Sequence, residues 1–196
     1  MTRLAALALA LFAMGAFAAR DASALTLSFS PSSVSAGIGD SVGVDVVVSD
    51  LGTDLVAAFD LDVLYDPSVL HATSVAFGVH LGDPAAFEAF TDFNLATAGR
   101  VDFAELSLLD AAQLGALQTG PFALATLQFD VVGGGVSTLA YRFDANNLLV
   151  GPRGEVLDVV VRDGSVVAVV PEPTAALLFA VGFALVGLHT RRARAA

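Results

Sequence analysis

Residues 25–170 alternate between apolar and polar positions with a period of two, which is the pattern of half-buried β-strands. Three runs show the alternation most clearly, at residues 41–49, 59–66 and 123–132. The shared faces are Val42, Val44, Val46 and Val48 in the first run; Phe59, Leu61, Val63 and Tyr65 in the second; and Ala125, Leu127, Phe129 and Val131 in the third, with Leu124, Thr126, Gln128 and Asp130 opposite. Helical periodicity is nearly absent, so the pattern predicts an all-β domain.

Turn-forming residues separate about nine such strands. Clear examples are Pro31-Ser32-Ser33, Asp66-Pro67-Ser68 and Gly151-Pro152-Arg153-Gly154. Short strands at this spacing predict an antiparallel sandwich of two sheets. The pair Asp163-Gly164 predicts a tight hairpin between the last two strands, and Gly133-Gly134-Gly135 predicts another hairpin or a bulge.

Two short helices interrupt the strands. Asp83 followed by Pro84 is a helix start, which predicts a helix over residues 85–90. A second helix is predicted over residues 110–117. Neither is long enough to carry the chain between parallel strands, so a βαβ fold is excluded.

The amino end is typical of a secretory signal peptide. Arg3 precedes an apolar stretch at residues 4–19, and Ala22-Ser23-Ala24 has the small-residue pattern of a cleavage site. We therefore expect residues 1–24 to be removed between Ala24 and Leu25, leaving residues 25–170 as the folded domain.

The carboxyl end combines three features in order: the tripeptide Pro171-Glu172-Pro173, an apolar run, and the basic residues Arg191, Arg192 and Arg194. Residues 174–190 predict a single membrane helix, since the apolar core of 15 residues would extend about 22 Å as a helix and just reaches across a thinned bilayer. Clustered arginines stay on the cytoplasmic side. The body of the protein would then lie outside, with a proline-rich spacer at the membrane surface.

Composition limits the possible functions. The 196 residues include no cysteine, which excludes disulfides and thiol chemistry, and they also include no lysine. Residues 25–170 hold four arginines against 18 acids, a net charge of −14. Such a surface repels phosphate backbones, so no nucleic-acid partner is expected.

The stretch FDLDVLYDPSVL, at residues 59–70, resembles the strand and turn of cohesin-like domains. Residues 124–133 and 163–169 resemble later strands of the same family. The resemblance implies a jelly-roll sandwich of nine strands, related to carbohydrate-binding modules, and a family whose cellulosomal members bind calcium-loaded dockerins. Independently of the family, Asp66 is placed to accept backbone amide hydrogen bonds, with Tyr65 and Leu70 packing inward.

The carboxyl end resembles the PEP-CTERM sorting signal of Gram-negative bacteria, because all three of its parts occur together at the terminus. The resemblance implies recognition and cleavage near Pro171-Glu172-Pro173 by an exosortase, and a link to exopolysaccharide and biofilm. A plain membrane anchor with incidental prolines is the alternative, and a GPI-type signal fits less well because such tails lack a basic end.

No catalytic constellation is visible in the sequence. His80 with Asp83 could orient a base or bind a metal, but no third ligand has a recognisable spacing, so we expect His80 to lie in a surface loop. His71 follows Leu70 at the start of a strand and is expected to be solvated or half-buried. We expect no cofactor and no metal; calcium is the one open alternative. Its candidate ligands would be Asp45, Asp50, Asp54, Asp60 and Asp62.

These observations predict a non-enzymatic protein exported across the inner membrane. It would be held there transiently and then reach the envelope, the cell surface or the medium. Its sandwich would bind a protein or a polysaccharide. A carbohydrate-binding module is the first alternative, although the chain has no Trp and only two Tyr for stacking on sugars. A glycosidase with paired carboxylates is the second, but no acid pair lies in a recognisable motif.

Overall fold

A computed structural model describes residues 24–142 and 148–169. These form twelve strands: β1 (Leu25–Ser30), β2 (Ser33–Gly37), β3 (Ser41–Ser49), β4 (Ala58–Leu64), β5 (Leu70–Phe77), β6 (Ala89–Asn94), β7 (Arg100–Ser107), β8 (Phe122–Val131), β9 (Gly135–Arg142), β10 (Leu148–Val150), β11 (Val159–Val161) and β12 (Gly164–Val169). A 3-10 turn at Pro84–Ala86 and helix α1 (Ala111–Leu117) connect them. Leu25, the predicted first residue of the mature chain, also begins β1.

Several predictions fall outside the described residues. They concern Ala22 with most of the signal peptide, Pro171-Glu172-Pro173, the membrane helix 174–190, and the cluster Arg191, Arg192 and Arg194. In the part of the chain that the structure describes, no helix has the length and apolar character required to cross a bilayer.

The strands build a two-sheet sandwich, which confirms the predicted all-β fold. One sheet has the order β11-β1-β3-β8-β5, and the other has the order β2-β12-β9-β4-β7-β6, with β10 paired to β4 beside β9. Most pairs are antiparallel, but β1 with β11 and β2 with β12 are parallel. The described strands also outnumber the nine predicted, because short pieces such as β10 and β11 have too few residues to show an alternation.

The core lies between the two sheets and is filled by the faces predicted from the alternation. Val44, Val46 and Val48 of β3 and Leu61 and Val63 of β4 are at most 1% exposed. At about 25 cal/mol for each Å² of apolar surface removed from water, this core is the main stabilising term.

The alternation of β8 is broken by a bulge. The register with β3 shifts between Val46 and Val47, where Val46 pairs with Ala125 and Val47 with Ala123. As a result, Leu124 and Ala125 are both buried, whereas the period of two placed Leu124 on the outer face. A bulge inserts one residue and thereby exchanges the two faces of the strand on either side of it.

The two predicted hairpins are wrong. β8 and β9 lie in different sheets, as do β11 and β12, so both glycine-containing segments carry the chain across the sandwich. Their glycines serve close packing: a Cβ on Gly133 would lie 2.1 Å from the Ser68 carbonyl oxygen, and one on Gly164 would lie 2.9 Å from the Phe29 Cβ. The Asp163-Gly164 pair therefore reflects close packing against another strand and not a hairpin turn.

The predicted helix at residues 110–117 is confirmed. Asp110 caps α1 by accepting hydrogen bonds from the Ala112 and Gln113 amides, and the Gln113 side chain bonds back to the Asp110 amide. The helix predicted at 85–90 is shorter. After the 3-10 turn, Phe87 adopts a positive φ of 59°, which ends the helix, and Ala89 already pairs with Ser107.

The turn after Tyr65 forms as expected. The Asp66 carboxylate accepts hydrogen bonds from the Ser68 amide (2.8 Å) and hydroxyl (2.6 Å). These bonds lower the pKa of Asp66. Tyr65 and Leu70 are buried, and the Tyr65 ring packs edge-on against Phe129 with centroids 5.3 Å apart. This turn thus fixes the end of β4 against the core.

Candidate functional site

The outer face of the strands β10, β4, β7 and β6 carries an exposed apolar row. Successive residues of β7 point to opposite sides, so Leu106 faces outward while Phe103 and Ser107 face the core. The register aligns Leu106 with Phe90 on β6 and Ala58 on β4. We define the apolar row as Phe90, Leu106, Ala58 and Val150, the last being the partner of Ala58 on β10.

Phe90 and Leu106 of the apolar row are open to solvent, whereas Ala58 and Val150 are half-buried. Phe90 is 58% exposed and Leu106 is 50% exposed, and Leu108, two residues beyond Leu106, is 53% exposed. The row lines a groove of about 500 Å³. Contiguous exposed apolar surface on a folded domain is typical of places where other molecules bind.

Acidic residues lie directly beside the apolar row. In the next row of the same sheet face, Asp92 of β6 and Asp60 of β4 flank Ala104 of β7. Both aspartates are exposed. A ligand seated on the apolar row would meet negative charge at this border, which favours basic groups.

A charged cluster follows one row further along. The carboxylate of Asp62 lies 3.4 Å from Arg100 Nη1 and 3.9 Å from Arg142 Nη1. Arg100 Nη2 lies 3.8 Å from Asp102. Asp62 is only 6% exposed, so these contacts satisfy a carboxylate that is largely removed from water. The same sheet face therefore has an apolar end, at Leu106, and a charged end, at Asp62.

The aspartates considered for calcium do not converge. The Asp45 carboxylate accepts a hydrogen bond from the Thr126 hydroxyl (2.6 Å), that of Asp50 accepts one from Ser49 (3.2 Å), and Asp62 contacts arginines. Within residues 24–142 and 148–169, no group of three His, Asp or Glu side chains could hold a metal ion.

The histidines do not form a base or a metal site in the described part of the chain. His71 is exposed, as expected. His80 is half-buried and stacks on Phe122, with ring centroids 4.8 Å apart, rather than lying free in a surface loop. Asp83 is occupied as a helix cap, because its carboxylate accepts the Ala85 amide at 2.8 Å.

Sugar stacking finds little support among the aromatic side chains. Tyr65 and Tyr141 are both buried, and the exposed aromatic residues of the described chain are Phe87, Phe90 and Phe93. Tyr141 stacks on Phe29 with centroids 4.6 Å apart and donates its hydroxyl to the Ser28 carbonyl at 3.2 Å. Both tyrosines therefore serve the core.

The sequence interpretation missed Glu105. Its side chain points from β7 into the core, the residue is 2% exposed, and neither carboxylate oxygen has a hydrogen-bond partner. Burial raises the pKa of Glu105 to about 7. A signal was present in the alternation Val101, Phe103, Glu105, which puts a carboxyl on an apolar face.

The fold matches solved structures closely enough to superpose most of the domain. The sixth cohesin of scaffoldin B from Acetivibrio cellulolyticus, solved with a mutant dockerin, gives a TM-score of 0.59 at 19% identity, over 74% of this chain and 99% of that one. A cohesin from Clostridium acetobutylicum, solved in solution, gives 0.57 at 20% identity, over 74% and 90%.

The similarity is not limited to scaffoldins. A non-cellulosomal cohesin from the hyperthermophilic archaeon Archaeoglobus fulgidus gives a TM-score of 0.53 at 16% identity, over 78% of this chain and 94% of that one. At these identities the likeness establishes the fold alone. No curated protein matches the chain in sequence.

The family itself is established by sequence. The profile of the Cohesin domain matches residues 27–168, from the first strand of the sandwich to the last, and thus most of the chain. The resemblance first noted at residues 59–70 therefore extends over both sheets. The chain belongs to the Cohesin domain family.

Proposed function

We propose that this chain is an exported, non-enzymatic binding protein whose sandwich holds a protein partner on the apolar row. The observation that carries this proposal is the alignment of Phe90, Leu106 and Ala58 across neighbouring strands, which leaves the apolar side chains of Phe90 and Leu106 exposed side by side on one sheet. Ordered apolar surface with a polar border is the composition of protein interfaces. Membership of the Cohesin domain family supports the same reading.

The chemistry of the face describes the partner. Apolar side chains would fill the groove beside Leu106, and Lys or Arg would lie over Asp60 and Asp92. The solved relative from Acetivibrio cellulolyticus was obtained in complex with a dockerin, so a dockerin-like module is the first partner to test. A polysaccharide is less well supported, since the two tyrosines are buried and the chain has no Trp.

A charge on the apolar row tests this proposal. Leu106→Asp should weaken binding of the partner at least tenfold, because it puts a carboxylate in the centre of an apolar contact. The matched control is Val160→Asp, since Val160 is 48% exposed on β11 of the opposite sheet. Partners cross-linked in the native host are identified, prepared as pure proteins and titrated by calorimetry. Equal affinity for the wild type and both variants would refute the assignment.

Export and sorting form the second part of the proposal. The signal-peptide pattern of residues 1–24 would bring the domain across the inner membrane, and residues 174–190 would hold it there. An exosortase-type enzyme would then cleave near Pro171-Glu172-Pro173, and the product would reach the cell envelope, the surface or the medium. The order of motif, apolar run and terminal arginines supports this reading.

Replacing Pro171-Glu172-Pro173 with three alanines tests the sorting step. The variant should accumulate as an unprocessed membrane form, while the wild type yields a shorter product whose mass defines both ends. Replacing Pro152 with alanine in an exposed loop of the domain is the control, and it should be processed normally. Normal processing of the triple variant would remove the sorting assignment and leave the binding surface unaffected.

A further inference from the structure

Glu105 introduces an ionisable group into an apolar environment behind the apolar row. It lies on β7 between Ala104 and Leu106, and all three residues line the groove, but the side chain of Glu105 faces the core. It is 2% exposed and its two carboxylate oxygens have no hydrogen-bond partner. Burial without a partner disfavours the charged form of a carboxyl.

The neighbours of Glu105 do not compensate its charge. In the register of the sheet it lies between Phe59 on β4 and Thr91 on β6. The titratable and charged side chains on the elements around β7 do not face the Glu105 carboxyl. Those on the outer face of the same sheet are Arg100 and Asp102 on β7, Asp60 and Asp62 on β4, Asp92 on β6 and Arg142 on β9. In the other sheet, His71 on β5 is exposed and Asp130 on β8 accepts a hydrogen bond from Ser41, while His80, after β5, stacks on Phe122. Burial is accordingly the cause of the raised pKa of Glu105.

One of the two strands beside Glu105, β6, is the edge of its sheet and, among the described strands, pairs only with β7. Thr91 and Phe93 point toward the inner side of the sheet, yet both are exposed. Because Thr91, the neighbour of Glu105 on this edge strand, is already exposed, separation of β6 from β7 would bring water to the Glu105 carboxyl.

We propose that Glu105 is a pH-responsive element that keeps β6 closed on β7 in mildly acidic solution and favours its opening as the solution becomes neutral. Its effect on partner binding rests on the function proposed above, since Phe90 and Leu106 belong to these two strands. The opening itself is independent of any partner.

The direction follows from proton linkage. In the closed form the pKa of Glu105 is about 7, and in an open, hydrated form it returns toward the ordinary value of 4.5. Opening therefore releases a proton between these two values, so the opening equilibrium rises about tenfold for each pH unit in that range and becomes constant above it. The stabilising effect of the neutral carboxyl is complete at acidic pH and lost as the pH approaches 7.

Hydrogen–deuterium exchange of the full chain in detergent tests the proposal without a ligand. Exchange of peptides covering residues 89–107 is measured from pH 5 to pH 8 and corrected for the intrinsic rate. The opening equilibrium should rise more than tenfold in the wild type and change less than about twofold in Glu105→Gln, which cannot ionise. Glu155→Gln makes the same substitution at an exposed loop position and should follow the wild type.

Identical pH profiles for the wild type and Glu105→Gln, or a flat profile for the wild type, would overturn the proposal. Should Glu105→Gln fail to fold, carbon-13 NMR of the wild-type glutamate carboxyls decides the question. A Glu105 midpoint near neutral pH, shared by amide signals of β6, supports the opening, and a midpoint near 4.5 contradicts it. None of these results depends on Leu106→Asp, so the switch and the binding surface can fail separately.

Discussion

Gln118 joins three segments of the chain through its side-chain amide, and its replacement gives a sharp test of the packing. The residue follows α1 and is 7% exposed. Its Oε1 accepts from the Val56 amide at 2.9 Å, and its Nε2 donates to the Val56 carbonyl at 2.7 Å and to the His80 carbonyl at 3.1 Å. The Gln118 side chain thus supplies the hydrogen bonds that a neighbouring strand would otherwise make to the segment before β4.

Gln118→Ala leaves one amide and two carbonyl groups without partners. At a net value of about 1 kcal/mol for each hydrogen bond, the expected loss in free energy of unfolding is about 3 kcal/mol. Gln118→Glu keeps the shape but replaces the donor by a carboxylate oxygen that faces two carbonyl oxygens. At neutral pH this isosteric change should cost more than the truncation, about 4 kcal/mol, because repulsion is added to the lost bonds.

The two variants should also differ in their pH dependence. Once protonated, the carboxyl introduced by Gln118→Glu can donate to a carbonyl again, so the folded state raises the pKa of this carboxyl and the variant regains stability as the pH falls. The measurement is equilibrium urea unfolding of the full chain followed by circular dichroism, since the chain has no Trp. Gln113→Ala, which removes only the exposed capping-box bond of α1, is the control and should cost about 0.5–1 kcal/mol. A loss below about 1 kcal/mol for Gln118→Ala, or a Gln118→Glu variant as stable as Gln118→Ala at neutral pH, would refute this account.

Two further predictions concern glycines and the turn after β4. Gly78→Ala should destabilise the fold by about 2 kcal/mol or more, because the new Cβ would lie 2.2 Å from the Ala123 carbonyl oxygen. Gly115→Ala, which adds a Cβ in open space on α1, should stabilise the fold by about 0.5–1 kcal/mol. Urea unfolding midpoints in the opposite order would contradict both expectations. Ser68→Ala should raise the pKa of Asp66 toward its ordinary value, since the Ser68 hydroxyl is the main cause of the lowered pKa; an unchanged Asp66 midpoint in an NMR titration would show that the backbone bond alone determines it.

The alternation of residues predicted the sandwich because burial on a sheet has a strict period of two. Val44, Val46, Leu61 and Val63 could be assigned to the core without any knowledge of their partners. Leu124 could not, because the bulge that buries it is defined by the register with β3, a strand far away in sequence. The position of the bulge depends on two strands together.

The apolar row was less accessible to sequence reasoning than the core. Phe90, Leu106 and Ala58 are distant in sequence, and each alone is an ordinary apolar residue. The sequence predicts Phe90 in a helix, since Asp83 and Pro84 start one correctly, but the helix ends at Phe87, and the pairing of Ala89 with Ser107 places Phe90 in β6. Only the pairing of three strands places these side chains in one row.

Local chemistry thus determined the longer strands, the helix at residues 110–117, the turn after Tyr65 and the likeness to cohesins, because each depends on residues close together along the chain. The tertiary structure decided which strands are neighbours, why Gly133 and Gly164 must be glycine, and that Glu105 is enclosed without a partner. Those properties depend on contacts between residues far apart in sequence, and a pattern read along one strand does not contain the strand that will lie beside it.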